Sequence, residues 1–426
     1  MKKRIVITGM GILCRLGETP EEFIQNLLQG KSGIINLESF DTSMIQCKVG
    51  GDMGNYDYKS KMKTYADNIP LNVFKKMRKI SKTAPPATRL TLIPALDAFI
   101  DAGLFGYDFD PVRMSCIIGG HNFHDGYSVK NVIQFLEEPE YIDGLMGVVV
   151  FDTDMAASMC EILGIKGPMY TVGGTCTSAG IALKNAIREI RYGDCDLALV
   201  GGGSMDYSAI GFQALSIVNA ISYVNFNDAP EKASRPYDTR REGFVPAQGS
   251  GILVIEDLDH ALQRNARIYA EILAVESNND ANHLSNPSTE GQVRVMRTAL
   301  QKAGLKPENI DYINAHATST PIGDVTEIKS IKEVFGGHAR KVKINATKSL
   351  LGHTGWTSHS IELIASILQM QKSKLHPSIN IDELDPEVDL DVCANRSMDY
   401  TINYFIKNSF GFGGINCCTV AKKYIQ

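Results

Sequence analysis

The chain has 426 residues, more than one hydrophobic core usually organises, so we expect two domains or two fused halves that share a core. Hydrophobic residues make up 44% and charged residues 21%, which is typical of a soluble globular protein, and no apolar run is long enough to span a bilayer. The net charge of −5 is spread along the chain and gives no indication of nucleic-acid binding.

The nine cysteines include no Cys-x-x-Cys pair. An odd count without ligand spacing predicts reduced thiols in a cytoplasmic protein and argues against a disulfide framework or a zinc site. The basic start Met-Lys-Lys-Arg precedes an apolar run that Gly9, Gly11 and Arg15 interrupt early. We therefore interpret it as the first strand and not as a signal peptide.

Apolar runs typical of strands recur along the chain. They are predicted at 4–8, 115–118, 169–172, 197–200, 251–255, 269–275, 312–315 and 341–345. Amphipathic helices are predicted between them, most clearly at 177–192 and 357–371, where apolar residues recur with a helical period. This alternation predicts an α/β layered architecture with a buried, largely parallel sheet.

A charged helical stretch at 257–265 marks a seam after which the strand-helix alternation restarts. We therefore predict two halves, 1–258 and 259–426. The first half contains the reactive cysteine described below and the second contains two histidines, which suggests a site at their junction. The segment at about 119–151, rich in glycine, histidine and aromatic residues, is predicted to be an insertion that lines a cavity or a subunit contact.

Cys176 follows the strand at 169–172 through Gly173, Gly174 and Thr175 and precedes a helix. Most cysteines are small buried hydrophobes, but these neighbours allow the backbone to approach a ligand closely and leave a helix N-terminus open. Backbone N–H groups and the positive helix end favour the thiolate, which attacks carbonyl carbons. Cys176 is therefore predicted to be the nucleophile.

His316, in Asn-Ala-His-Ala-Thr-Ser-Thr-Pro, and His353, in Thr-Lys-Ser-Leu-Leu-Gly-His, are both predicted at element boundaries. A lone histidine is more often structural. Two that are flanked by small residues fit paired N–H donors that polarise a thioester carbonyl or stabilise an enolate. Comparable settings are lacking at histidines 121, 124, 260, 338, 359 and 376, and His283 is left unassigned.

Lys348 and Glu327 are predicted to form an ion pair, because Lys348 lies in a small-residue turn near His353 and would need a carboxylate if buried. The alternative is two solvated surface charges. The run Asn408-Ser-Phe-Gly-Phe-Gly-Gly predicts a closely approaching turn with Phe410 and Phe412 as aromatic plugs. It is not a phosphate-binding loop, because no Lys-Ser/Thr follows.

These motifs, in this order, resemble the elongating type I/II β-ketoacyl-acyl-carrier-protein synthases of the thiolase superfamily. The resemblance runs from Val6-Ile-Thr-Gly-Met-Gly to Phe410-Gly-Phe-Gly-Gly-Ile-Asn and includes Arg235-Pro-Tyr-Asp and Arg241-Glu-Gly-Phe-Val. It implies a thiolase-like five-layer α-β-α-β-α fold from two similar halves. It also implies a dimer, either of two copies or with a chain-length-factor-like homologue, whose partner helps to line each acyl tunnel.

The resemblance further implies a role for each residue of the site. Cys176 would take the acyl chain from the phosphopantetheine of an acyl carrier protein, with its own N–H and that of Phe412 as the oxyanion hole. His316 and His353 would hold the malonyl thioester and stabilise its enolate as carbon dioxide leaves. Lys348 would be the fourth catalytic residue and would fix the local geometry together with Glu327. The supporting residues would be Glu327, Phe410, the gating Phe412, and Asp280 on the facing loop. No redox or metal cofactor would be required.

Some positions depart from the housekeeping fatty-acid pattern. After the second histidine, Thr354-Gly-Trp-Thr-Ser-His replaces a Leu-Gly-Ala-Ala-Gly-like stretch, and Gln248 stands where an acidic residue is common. The stretches Val150-Phe-Asp-Thr-Asp-Met and Thr171-Val-Gly-Gly-Thr look closer to ketosynthases of polyketide clusters. We therefore expect a condensing enzyme of polyketide, polyene or specialised fatty-acid biosynthesis.

Three alternatives remain at this point. A malonyl-carrier-protein decarboxylase of a polyketide cassette and a noncatalytic ketosynthase-like partner subunit both usually lack the cysteine that this chain keeps. A dinucleotide or metal enzyme is disfavoured, because no Gly-x-Gly-x-x-Gly follows a strand with a ribose-binding acid and no paired His/Asp ligand spacing is present.

Overall fold

The computed structural model describes residues 3–425. The strands of this part of the chain are β1 (Ile5–Cys14), β2 (Ile35–Asn36), β3 (Val49–Gly50), β4 (Met114–Gly119), β5 (Met169–Val172), β6 (Leu197–Gly202), β7 (Gly249–Asp257), β8 (Ala270–Asn279), β9 (Tyr312–Asn314), β10 (Lys343–Asn345), β11 (Lys374–Leu375), β12 (Met398–Asp399), β13 (Tyr404–Gly411) and β14 (Ile415–Lys422).

The α-helices are α1 (Pro20–Leu28), α2 (Tyr58–Lys63), α3 (Leu71–Thr83), α4 (Pro86–Asp101), α5 (Asp125–Glu137), α6 (Met146–Val149), α7 (Asp154–Leu163), α8 (Ser178–Tyr192), α9 (Ala209–Ile217), α10 (Leu258–Gln263), α11 (Thr289–Ala303), α12 (Pro321–Phe335), α13 (Lys348–Leu351) and α14 (Ser358–Lys372).

Ten of the strands form one sheet in the order β10-β9-β13-β14-β8-β1-β7-β6-β4-β5. It divides into two five-stranded halves that meet where Ile5–Ile7 of β1 pairs with Ala270–Ile272 of β8. When the five strands of each half are numbered along the chain, both halves have the spatial order 3-2-4-5-1. The two halves therefore share one topology.

Three apolar clusters fill the spaces between the layers. The first contains the apolar faces of α8 and α14 and lies between the two halves of the sheet. The second joins α4 and α7 to the outer face of the first half, and the third joins α11 and α12 to the outer face of the second. Along β4, Ile117 belongs to the first cluster, whereas Cys116 and Ile118 belong to the second, because strand side chains alternate between faces. The result is the expected α-β-α-β-α layering.

Three details differ from the sequence predictions. The sheet is mixed and not largely parallel, because β7 and β14 run antiparallel to both of their neighbours. A strand that is buried on both faces is apolar in either direction, so its composition does not report its orientation. Within the predicted insertion, 125–137 forms the regular helix α5, and its apolar residues face solvent. The hairpin of β13 and β14 was predicted only as a turn.

No helix within residues 3–425 is long and apolar enough to cross a membrane.

Candidate active site

Cys176 lies at the centre of a single 3₁₀ turn, Thr175–Thr177, between β5 and α8. Thr175 adopts a positive φ of 47°, which is unfavourable for a β-branched residue and which the surrounding contacts must enforce. Its hydroxyl donates a hydrogen bond to the carbonyl oxygen of Phe412 at 3.0 Å. The hairpin approaches this closely because Gly411 has no side chain: a Cβ there would lie 2.2 Å from Thr175 Oγ1.

His353 Nε2 lies 3.0 Å from Cys176 Sγ. On the other side of the ring, the backbone N–H of Gly355 donates to Nδ1 at 3.0 Å, and Ser358 Oγ lies 2.9 Å from the same nitrogen. Because Nδ1 accepts a hydrogen bond from a backbone donor, the proton of the neutral ring resides on Nε2. The ring therefore presents an N–H donor to the sulfur.

His316 completes the cluster from the end of β9. The sulfur of Cys176 and one ring nitrogen each of His316 and His353 all lie within 4.8 Å of one another. The two imidazoles pack edge to face with centroids 5.5 Å apart. The carboxyl ends of the parallel strands β9 and β10 meet at one edge of the sheet, which explains how residues distant in sequence converge. The structure thus brings together the nucleophile and both histidines predicted from the sequence.

Burial dominates the protonation of these groups. It raises the pKa of the Cys176 thiol, an effect that the positive charge of Lys348 and the N–H groups of Phe412 and of Cys176 itself oppose without reversing. The thiolate was predicted from backbone N–H groups and the positive helix end, and that prediction was wrong on the net direction of the pKa shift. Burial, together with the charge of Lys348, also holds the pKa values of His316 and His353 well below the usual range, so both rings are neutral.

The predicted ion pair between Lys348 and Glu327 is wrong. Lys348 Nζ lies 2.6 Å from Glu362 Oε1 and donates a hydrogen bond to the carbonyl oxygen of His316 at 2.7 Å. The second oxygen of Glu362 lies 2.7 Å from Nζ of Lys407. Glu362 therefore joins two buried lysines, and one of these holds the backbone of a site histidine.

Glu327 instead organises the backbone around His316. Its carboxylate accepts hydrogen bonds from the backbone N–H groups of His316 and Ala317, at 3.0 and 2.9 Å, and from Asn408 Nδ2 at 3.2 Å. Ala317 has a positive φ of 27°, so the carboxylate holds a strained turn immediately after the histidine.

The analysis of the sequence missed Glu362 and Lys407. Each was detectable as an isolated charge in an otherwise buried element: Glu362 is the only carboxylate in α14, and Lys407 is the only charged residue of the eight in β13. A buried charge requires a partner.

The remaining predicted residues surround the cluster from the hairpin side. The Phe410 ring packs edge to face against His316, with centroids 5.9 Å apart, whereas Phe412 lies in the turn, 40% exposed. Asp280 follows β8 and contacts the same turn: its backbone N–H donates to Gly414 O at 2.8 Å, and its carboxylate accepts from Asn416 Nδ2 at 2.6 Å.

A Cys-His-His cluster is also a possible metal-binding set. A histidine that binds a metal through one nitrogen donates the N–H of the other to an acceptor. Nδ1 of His353 faces the Gly355 N–H, which is a donor, so this ring is arranged to present its own proton and not a lone pair to the centre of the cluster.

Comparison with known proteins identifies close relatives over the whole chain. The family described as "Beta-ketoacyl synthase, N-terminal domain" matches residues 2–261, and "Beta-ketoacyl synthase, C-terminal domain" matches residues 269–382. The 3-oxoacyl-(acyl-carrier-protein) synthase 2 of Coxiella burnetii is 34% identical over 424 residues, covering 97% of each chain. The protein of the same name from Staphylococcus aureus is 34% identical over 426 residues, covering 99% of each.

Solved structures agree with this chain over its whole length. A type II polyketide synthase acyl-carrier protein in complex with its ketosynthase bound to the hexaketide (AntDE:AntF) gives a TM-score of 0.88 at 28% identity, covering 100% of both chains. The ishigamide ketosynthase/chain length factor gives 0.88 at 27%, also covering 100% of both. These similarities confirm the fold predicted from the sequence.

Proposed function

Because the chain belongs to the β-ketoacyl synthase family, whose members are acyltransferases of the condensing type, we propose that it catalyses a decarboxylative Claisen condensation. Malonyl-carrier protein would be joined to an acyl chain held on Cys176. The observation that carries this proposal is the 3.0 Å contact between Cys176 Sγ and the Nε2–H of a neutral His353, with His316 beside it.

In the first half-reaction, the sulfur of Cys176 attacks the acyl thioester carbonyl of a loaded carrier protein. A C–S bond to Cys176 forms, the C–S bond to phosphopantetheine breaks, and the thiol proton ends on the departing phosphopantetheine sulfur. The N–H groups of Cys176 and Phe412, which oppose the rise in the pKa of the thiol caused by burial, would stabilise the oxyanion. Phe412, exposed in its turn with Asp280 against it, would gate access to the sulfur.

In the second half-reaction, His316 and His353 donate N–H hydrogen bonds to the malonyl thioester oxygen and stabilise the enolate formed as carbon dioxide leaves. The enolate carbon attacks the acyl carbonyl on Cys176, a C–C bond forms, and the sulfur leaves and takes up a proton. Lys348 and Glu327 act through the His316 backbone and are positioning residues. No step uses a metal or redox cofactor; the substrates are carried on phosphopantetheine.

Helix α3 supports docking of an acidic carrier protein. It bears five exposed cations and no acidic residue, in a chain whose net charge is −5: Lys75, Lys76, Arg78, Lys79 and Lys82. The double substitution Lys75→Glu with Lys79→Glu should raise the KM for acyl-carrier protein about tenfold or more. Acylation of Cys176 by a small acyl thioester that lacks the carrier should not change, and a change there would contradict docking at α3.

The surface of α5 and α6 supports a second subunit of the same fold. Large apolar side chains are exposed along it, including Phe135, Leu136, Val148 and Phe151, and the edge strand β5 pairs only with β4 within residues 3–425. The partner would be a second copy or a chain-length-factor-like homologue. Light scattering of the chain alone and co-expressed with such a homologue distinguishes the two.

The acyl substrate class supported best is a polyketide or specialised fatty-acid chain. Support comes from the TM-scores of 0.88 with polyketide-type ketosynthases and from the departures around Trp356. The nine free thiols support a cytoplasmic setting.

Replacing the nucleophile tests the proposal. Cys176→Ala should abolish both the acyl-enzyme adduct in intact-mass spectra and the β-ketoacyl product, whereas decarboxylation of malonyl-carrier protein can persist. Intact condensation in that variant would defeat the assignment. A wild-type protein that releases carbon dioxide but never forms a β-keto product from a supplied acyl-carrier protein would instead be a dedicated decarboxylase.

A further inference from the structure

Trp356 occupies the same place in the second half of the molecule as the nucleophile does in the first. It is the middle residue of the 3₁₀ turn Gly355–Thr357, which leads into the 15-residue helix α14, just as Cys176 is the middle residue of the turn that leads into the 15-residue helix α8. The two turns contact each other. The backbone of Trp356 therefore lies close to the turn that carries Cys176.

The indole stacks on His121, which follows β4. The ring centroids are 4.1 Å apart and the planes are inclined by 34°. His121 also packs against the residues that connect β5 to Cys176. A Cβ on Gly173 would lie 3.2 Å from His121 Cδ2. The pair thus extends from the turn after His353 to the residues that precede Cys176, and both rings are partly exposed.

Close packing behind the pair fixes its position. A Cβ on Gly120 would lie 2.9 Å from Trp356 Cδ1 and 2.2 Å from Phe123 Cε1, and a Cβ on Gly355 would lie 2.4 Å from Met205 Sδ. The pair therefore has little room to move away from the sulfur. Burial lowers the pKa of His121, so the stacked imidazole is neutral.

The indole N–H does not explain why a tryptophan is present. Nε1 is buried and has no hydrogen-bond partner within residues 3–425, which carries a desolvation cost. A phenylalanine would avoid that cost. What the tryptophan offers is a large, flat, polarisable ring on the turn that contacts the turn of Cys176.

We propose that Trp356 and His121 form an aromatic platform for the first carbons of the chain bound to Cys176 and select planar, conjugated acyl chains over saturated chains of equal length. This inference rests on the proposed function, since it requires an acyl group on Cys176. A conjugated chain presents a π-face to the two rings and has little rotational freedom to lose, whereas a saturated chain must be ordered bond by bond.

A direct competition measures the preference. The protein is mixed with equal amounts of octanoyl and 2,4,6-octatrienoyl thioesters of N-acetylcysteamine, so that chain length is matched and carrier docking plays no part. The two adducts on Cys176 are then compared at early times by intact-mass spectrometry. Stacking worth about 0.5–1.5 kcal/mol corresponds to roughly a two- to twelvefold preference for the trienoyl chain.

Three variants assign the preference to the platform. Trp356→Leu should bring the ratio of the two adducts to about one, Trp356→Phe should keep most of the preference because it keeps a π-face, and His121→Leu should give an intermediate ratio. Tyr192 is an exposed aromatic residue at the far end of α8. Tyr192→Leu is therefore the matched control and should leave the ratio unchanged.

Equal loading of both chains by the wild-type protein would overturn the platform, and so would a trienoyl preference that survives in Trp356→Leu. If the wild-type protein takes neither acyl chain from the small thioesters and also takes no acyl group from an acyl-carrier protein, the proposed function itself is refuted.

Discussion

The two halves of the molecule build the same turn and place different side chains in it. In each half, a short turn after the third strand in chain order, β5 or β10, leads into a 15-residue helix, α8 or α14. In the second half, the short helix α13 lies between the strand and the turn. Cys176 occupies the middle of the first turn and Trp356 the middle of the second. The shared backbone sets where these residues lie, and the residue type decides whether the position offers a thiol or an aromatic ring.

The surroundings of the two helices differ just as much. Residues Ser358–Met370 of α14 are buried almost without interruption, and this helix carries Glu362 between two lysines. Helix α8 has exposed positions and begins beside the thiol with small residues. The first half therefore supplies the sulfur and the N–H group of Cys176, whereas the second supplies the N–H group of Phe412 and a rigid, charged support for two neutral histidines. The predictions below test this division.

The largest effect is expected from His353→Ala. Removal of the Nε2–H donor that faces the sulfur should lower the rate of condensation by about 10²–10⁴-fold. The measurement is β-ketoacyl product formed from acyl-enzyme and malonyl-carrier protein. His283→Ala, which removes a histidine from the exposed loop after β8, should leave that rate unchanged. A His353→Ala variant that keeps more than half of the wild-type rate would contradict the role of this ring.

The next effect concerns the buried charges of the second half. Glu362→Gln leaves Lys348 and Lys407 without their carboxylate and should lower the free energy of unfolding by about 3–5 kcal/mol. Adding Lys407→Met removes one of the two orphaned cations and should restore part of the loss. Chemical denaturation measures both.

Glu290→Gln is the matched control for this prediction. Glu290 pairs with Arg294 on the surface of α11, where both side chains are exposed, so the change should stay within about 0.5 kcal/mol. Equal stability of the Glu362→Gln and Glu290→Gln variants would show that the buried network does not support the histidine side of the site.

A smaller effect is expected where the two halves meet. In Gly411→Ala, the new Cβ would lie 2.2 Å from Thr175 Oγ1 and 3.2 Å from Cys176 N, so the hairpin must move away from the nucleophile turn. Overpacking of about 1–3 kcal/mol at this contact should slow acylation of Cys176 by roughly 5- to 150-fold. Gly337→Ala has no neighbour within 4 Å of its Cβ and should not change the rate.

The sequence was most informative where function depends on local chain geometry. Strand β5 and the start of α8 were predicted to within one residue, because a short apolar run, a cluster of small residues and a helical apolar stripe all lie within a few turns of chain. Cys176, His316 and His353 stood out for the same reason, since small residues flank each of them at an element boundary.

Features that depend on how the layers pack against each other were beyond such reasoning. Lys348 was paired with Glu327, but the observed partner is Glu362, which lies closer along the chain, in the buried helix α14. The antiparallel direction of β7 and β14 relative to their neighbours was also missed, because a strand buried on both faces has the same apolar composition in either orientation. The direction of the pKa shift of Cys176 was predicted wrongly for a related reason, because desolvation depends on how the layers assemble around the thiol.

The last prediction measures the balance between the backbone N–H groups of Cys176 and Phe412, one from each half, and the burial imposed by both halves. Burial raises the pKa of Cys176 above its ordinary value of about 8.5, so the reactive thiolate is a minor species at neutral pH. Alkylation of Cys176 by iodoacetamide should therefore keep rising from pH 7 to pH 9, by roughly tenfold per unit. Peptide mapping separates this adduct from those on the other thiols. A rate that levels off below pH 8 would mean that the N–H groups and Lys348 prevail over desolvation. Because His316 and His353 are already neutral across this range, their titration adds no second step to the profile.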